Sequence, residues 1–194
     1  MRNAEATRER ILEAATAEFS AHGVAGARVD RIAQSAGCNK NLIYVYFENK
    51  ETLFTTVLGK HLARVYEENP FTPDDLPGYA GRAFDFAMAH PDLMRLMAWF
   101  SLEQSAMAPA ERAVSLQAKV AAVGRLQDEG RLGTAFPPAF LLTTIMTLAT
   151  AWAAAAPYGL SFDPDAANRP EALRRHIVEA VRRLSQAGTG LTQR

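Results

Sequence analysis

Apolar residues recur at helical spacing along almost the whole chain, and the strict alternation of a half-buried strand is nearly absent. Ile11, Leu12, Ala15 and Phe19 share one face of a first helix over about residues 4–21. Arg8, Glu9 and Glu13 lie outside it, and Gly23 is placed to end it in a left-handed conformation. Residues 29–36, "VDRIAQSA", make a short second helix that Gly37 breaks. Asn39 can cap a third helix over 40–47, and Asn49 a fourth over 50–68. The stretch "ENPFTPDDLPGYAG" is rich in Pro, Gly and acid and marks the best boundary in the chain. Five further helices are predicted over 77–89, 91–107, 109–129, 137–156 and 170–187. Pro91, Pro109 and Pro170 stand where a first helical turn tolerates proline. The pattern predicts an all-α fold of about nine helices. It divides into an N-terminal unit over 1–48, a connecting helix over 49–68 and a larger helical domain over 69–190.

Composition narrows this only slightly. A chain of 194 residues suffices for one domain or two small ones. Its 21 Lys and Arg balance 21 Asp and Glu, so any contact with nucleic acid must come from a local patch rather than from net charge. Cys38 is the single cysteine, which excludes an internal disulfide and fits a reducing, cytoplasmic setting. Arg8, Arg10, Glu13 and Glu18 interrupt the first 25 residues, unlike the apolar core of a signal peptide. Residues 132–162 carry no charge. However, this stretch is rich in Ala and Thr, is bracketed by Pro137, Pro138 and Pro157, and has no flanking basic cluster. A buried or subunit-contact helix is therefore expected there rather than a membrane span.

The segment "CNKNLIYVYFENK", residues 38–50, carries the chemistry. Ile32, Ala36, Cys38 and Ile43 are spaced to form a small core between the second and third helices, with Ala33 at the close crossing and Gly37 in the turn. Asn39, Lys40, Asn41, Leu42, Tyr44 and Val45 cannot all enter so small a core. A helix-turn-helix would present them to the DNA major groove. Asparagine can pair with adenine, lysine with guanine acceptors, and an apolar side chain with the thymine methyl. A tyrosine hydroxyl can donate to a phosphate, and Lys50 adds a charge where backbone amides already favour an anion. On spacing alone, a plain helical hairpin with solvated lysines fits equally well. Tyr46 could contact a base or join the small core, and its place is expected in the core.

The run "VDRIAQSAGCNKNLIYVYFENKETL" resembles the TetR family of bacterial transcriptional regulators. The matching elements are Ile32-Ala33, Ala36-Gly37, Lys40, Ile43-Tyr44, Tyr46-Phe47, Lys50-Glu51 and Leu53, preceded by "EFSAHGVAGARV". The resemblance is strong over about residues 5–55. It implies that Tyr44 and Lys50 clamp DNA phosphates, that residues 39–46 read bases, and that Arg28 stands where the family often has a backbone-touching threonine. Asn39, Asn41, Leu42 and Val45 depart from the residues most usual at their positions, so the bases read are particular to this chain.

In the larger half, methionines and aromatics suit either an adaptable apolar pocket or a plain core. The resemblance favours a cavity, for which Phe84, Met88, Met97, Trp99, Phe100, Phe140 and Trp152 are the candidate lining. The expected effector is apolar or aromatic with one polar handle, of unknown identity. Asp85, His90, Arg95 and Glu103 are the candidates to meet that handle. The small residues of "TLATAWAAAA", with Ala149 and Ala153, permit close helix approach. Leu173, Ile177, Ala180, Val181 and Leu184 form an apolar stripe opposite Arg174, Arg175, Arg182 and Arg183. The resemblance implies that these two helices build a four-helix homodimer contact, whose residues would be Ala149, Ala153, Leu173, Ile177, Val181 and Leu184. Packing of the stripe within its own subunit is the alternative.

Enzyme chemistry finds little support. His22, His61, His90 and His176 are scattered without metal-ligand spacing, Cys38 has no histidine near it in sequence, and no Gly-rich phosphate loop precedes a helix. No catalytic residue, cofactor or metal is expected. The sequence points to a ligand-responsive regulator, a repressor that binds double-stranded DNA at a palindromic operator as a homodimer. The rivals are an apolar small-molecule carrier or an enzyme without a DNA-binding role.

Overall fold

A computed structural model describes residues 2–103 and 110–186. Among them are ten α-helices: α1 Arg2–Gly26, α2 Val29–Ala36, α3 Lys40–Phe47, α4 Lys50–Glu68, α5 Leu76–Ala89, α6 Pro91–Glu103, α7 Ala110–Asp128, α8 Pro138–Thr150, α9 Gly159–Phe162 and α10 Pro170–Ser185. Single 3-10 turns occupy Pro73–Asp75 and Ala166–Asn168. The described residues contain no strand. The predicted helix ends at 107, 109 and 187 lie outside the described residues. The chain divides into two compact units, Met1–Arg64 with His90–Ala108, and Val65–Ala89 with Pro109–Arg194.

In the first unit, Ile11, Leu12, Ala15 and Phe19 are fully buried, as their shared face on α1 requires. Gly23 does break the helix, at φ 67°, and a further turn runs on to Gly26. Phe19 meets Phe54 of α4 edge to face at 5.2 Å, and Phe54 stacks on Phe100 of α6 at 6.3 Å. Such aromatic pairs add ~0.5–1.5 kcal/mol each beyond the area they bury. The sequence groups α6 with the later helices, but it packs on α1: Ser20 Oγ donates to the Asp92 carbonyl at 2.9 Å, and Leu93 and Leu96 are buried.

In the second unit, α5 lies against α8 and α10, and α7 packs on α8. Tyr79, Phe84, Val123, Leu141, Ile145, Ile177 and Val181 form its core. A methyl group on Gly81 would meet Val178 and Arg174 at about 3.0 Å, so glycine permits the α5–α10 approach. Helix α8 was expected to reach 156 but ends at Thr150, and residues 151–156 form turns. Gly159 folds back so closely that a Cβ there would collide with the Ala151 carbonyl and Trp152, and Pro157 cannot prolong the helix. Among the described residues, no helix is long and apolar enough to cross a membrane.

Candidate nucleic-acid interface

Helix α2 starts under the control of a carboxylate on α1. Glu18 accepts the Arg28 backbone N–H at 2.9 Å and the Arg31 Nε–H at 2.8 Å, and so satisfies an orphan donor at the helix start. Burial alone would raise the pKa of Glu18, but these hydrogen bonds hold it below the ordinary carboxylate value. At the other end of α2, Gly37 is left-handed at φ 63°. Its N–H donates to Gln34 O and the Cys38 N–H to Ala33 O, a pattern that closes the helix and turns the chain sharply. Asn39 then caps α3 by accepting the Asn41 N–H at 2.9 Å.

The two sides of α3 separate cleanly. Ile43 and Phe47 are buried with Ile32, Ala33 and Ala36, and they form the small core. Cys38 was expected with them but is only half-buried, because the left-handed turn carries it to the rim. Asn39, Asn41, Tyr44 and Val45 are exposed, the last two at 41% and 77%, and Lys40 and Leu42 are half-exposed. A valine three-quarters in solvent on a buried-cored helix is apolar surface without an internal role. Tyr46 turns back instead, yet it is half-buried and outside the small core: its hydroxyl donates to the Ala4 carbonyl of α1 at 3.2 Å, at the surface.

The basic groups differ in how they are held. Lys40 Nζ lies 2.9 and 3.0 Å from the two carboxylate oxygens of Asp30 on α2, and this hydrogen bond raises its pKa. Lys50, at the start of α4, is half-buried and donates to the carbonyl of Ala27, the residue before exposed Arg28, at 3.4 Å. Between α3 and α4, Glu48 takes φ 60°, ψ −52°, and the Asn49 N–H reaches the Phe47 carbonyl at 2.6 Å. This is a γ-turn, a strained geometry. Asn49 then caps α4 through the Thr52 N–H at 2.7 Å. Six of the eight residues proposed for DNA thus lie on α3 or at its cap, while Arg28 precedes α2 and Lys50 opens α4. The structure also adds Asp30, whose pairing with Lys40 spans ten positions and carries no sequence signal.

The residues proposed for a ligand do not converge. Phe100 is packed on Phe54, and Met97 and Trp99 share its helix in the first unit. Phe84 is core of the second unit, and Met88 and Trp152 are half-buried against that core. Phe140 is 55% exposed and stacks on Phe136. Two of the four handles expected for a ligand are engaged elsewhere: Asp85 pairs with Arg174 at 2.7 Å, and Arg95 with Asp92, both on the surface.

A groove of about 500 Å³ opens in the second unit between α5, α7 and α8. Tyr79, Leu116, Lys119, Val120, Leu142, Thr143, Met146, Thr147 and Thr150 line it, together with Ala139. None of the seven candidates is among its lining. Lys119 was missed because in "LQAKVAAV" it reads as an ordinary solvent-facing lysine. The apolar stripe of α10 is used at home: Ile177 and Val181 are core, with Leu173 and Leu184 half-buried against them, and Ala149 and Ala153 are buried too. The described residues contain no cluster of His, Cys, Asp and Glu that could hold a metal.

Two family models match the chain: "Bacterial regulatory proteins, tetR family" over residues 11–57, and "Tetracyclin repressor-like, C-terminal domain" over residues 75–183. The transcriptional repressor SCO4008 of Streptomyces coelicolor is 45% identical over 159 residues, which are 80% of this chain and 82% of that one. The transcriptional repressor NicS of Pseudomonas putida is 34% identical over 52% of this chain and 51% of its own length. Among solved structures, that of SCO4942 from Streptomyces coelicolor superposes with a TM-score of 0.81. It is 37% identical and covers 94% of this chain and 99% of its own. These relatives are regulators of transcription rather than enzymes, and the chain belongs to the TetR family of helix-turn-helix, DNA-binding transcriptional regulators.

Proposed function

We propose that the protein is a cytoplasmic, homodimeric repressor that binds a palindromic operator and is released by a small, largely apolar effector. One observation carries this reading. The leading edge of α3 offers Asn39, Lys40, Asn41 and Tyr44 to solvent, while Ile43 and Phe47 pin its other side. This is the side-chain set that reads base edges and holds phosphates. Arg28, Tyr44 and Lys50 hold the backbone, while Asn39, Lys40, Asn41, Leu42 and Val45 face the bases. Val45 suits a thymine methyl.

A two-fold dimer sets two such helices about one turn of DNA apart, ~34–36 Å, or somewhat more. The dimer contact draws on α8 and α10, the helices the family resemblance names. Their buried stripe leaves the contact to neighbouring exposed positions, such as Phe140 on α8. An effector in the helical C-terminal unit favours a dimer whose reading helices are differently spaced. A coupling of ~1–3 kcal/mol changes operator affinity some 5–150-fold.

A carrier of apolar molecules without a DNA role leaves the exposed edge of α3 unexplained. Selection of bound sequences from random double-stranded DNA by the full chain tests the proposal. Enrichment of an inverted repeat, with the protein sedimenting as a dimer, supports it. A folded protein that enriches no motif overturns it.

A further inference from the structure

Lys119 has an unusual set of neighbours. Its ammonium lies 5.3, 5.5 and 5.7 Å from the ring centres of Tyr66, Phe71 and Tyr79, and it donates to the Tyr79 hydroxyl at 3.4 Å. Three ring faces favour a cation, but none carries a negative charge. Among the described residues, no carboxylate pairs with it. Burial lowers its pKa, because an ammonium there is partly stripped of water. A partly desolvated charge without a counterion is unfavourable and becomes favourable when one arrives.

The surroundings specify what the counterion must be attached to. Lys119 is the one charged residue among those lining the groove, whose remaining walls are mainly Leu116, Val120, Leu142 and Met146. Its volume of about 500 Å³ falls in the ~300–1,000 Å³ range of small-molecule sites. Tyr79 is almost wholly buried, and burial raises its pKa, so it is a neutral phenol. Because Lys119 donates to the phenol oxygen, the phenol proton is left to donate elsewhere. Two donors, N–H and O–H, thus converge at one end of an apolar groove.

We propose that this groove binds a lipophilic monoanion, its carboxylate held by Lys119 and Tyr79 and its hydrocarbon body laid along Leu116, Val120, Leu142 and Met146. The proposal rests on the reading of the chain as an effector-responsive regulator and names the chemical class of that effector. The acid group is the polar handle, and its single charge matches the single ammonium.

The test is a titration of the full chain, without DNA, using decanoate, decanol and decyltrimethylammonium below their micelle concentrations. Decanoate is expected to bind one per chain and ~10-fold or more tighter than decanol, the advantage of a hydrogen bond between charged groups. Lys119→Met, which keeps an unbranched apolar stem without the ammonium, removes that advantage and leaves decanol binding unchanged; Lys119→Arg keeps it. Decanoate binding no better than decanol, or unaffected in Lys119→Met, overturns the proposal. So does tighter binding of decyltrimethylammonium, which would mean that the rings accept an external cation in place of Lys119. The wild-type headgroup series decides the matter even if a variant fails to fold. Because no DNA is present, a negative result leaves the DNA-binding reading standing, and a failed DNA selection leaves this one.

Discussion

The ammonium of Lys40 on α3 is held 2.9 Å from the carboxylate of Asp30 on α2, across the turn that joins the two helices. Both side chains are largely in solvent, so the pair adds little to stability. Its weight falls on function, because a base or phosphate that takes Lys40 must compete with Asp30, and Asp30 also repels the DNA backbone. Asp30→Asn is predicted to bind DNA of any sequence ~2–5-fold more tightly at low salt, the gain shrinking as salt rises. Fluorescence anisotropy with operator and unrelated duplexes at two salt concentrations measures this. Weaker binding on both would mean that Asp30 positions Lys40 rather than restraining it.

The ammonium of Lys50 has only a long hydrogen bond, to the Ala27 carbonyl. A phosphate is a far stronger partner than that carbonyl. Lys50→Ala is predicted to weaken binding to all sequences alike and to reduce the slope of log affinity against log salt by about one. An unchanged slope rules out a phosphate role.

Glu48 holds a backbone conformation that suits glycine. The strain at such a site is ~1–3 kcal/mol, part of which glycine relieves while adding flexibility to the unfolded chain. Glu48→Gly is predicted to raise the urea midpoint, and Glu48→Val, β-branched, to lower it. If Glu48→Gly is the less stable variant, the turn is not strained.

His61 of α4 lies 3.1 Å from Thr16 Oγ1 of α1. Burial lowers its pKa below 6.5, and Lys60, Arg64 and His90 add to the effect. The folded state therefore binds fewer protons at this site than the unfolded state. Its contribution to stability is complete above pH 6.5 and declines as pH falls from there toward the lowered folded value. Thermal melts of wild type and His61→Gln across that window are predicted to diverge, with wild type losing more on acidification. Parallel curves would mean that His61 titrates alike in both states.

The helix-turn-helix was legible because its determinants are local. Gly37 must turn, Asn39 and Asn49 must cap, and Ile32 and Ile43 are close in sequence, so spacing alone places them. The groove was not legible. Lys119 meets Tyr66, Phe71 and Tyr79 from 40 or more positions away, and such long-range placement leaves no periodic mark. The same holds for the apolar stripe of α10. Amphipathic spacing says that Ile177 and Val181 are covered but not by what, and α5 and α8 of the same chain cover them. The length of α8 depended on Gly159 folding back on Ala151, a contact that helical propensity cannot register.

The central claim is that the exposed edge of α3 reads bases, and Asn41 tests it most directly. Affinities of wild type and Asn41→Ala for a selected operator and for a scrambled duplex, in one buffer, decide it. Asn41→Ala is predicted to lose ~5–150-fold on the operator, the ~1–3 kcal/mol of a good base contact, and almost nothing on scrambled DNA. Equal losses on both duplexes, or none on either, would contradict it.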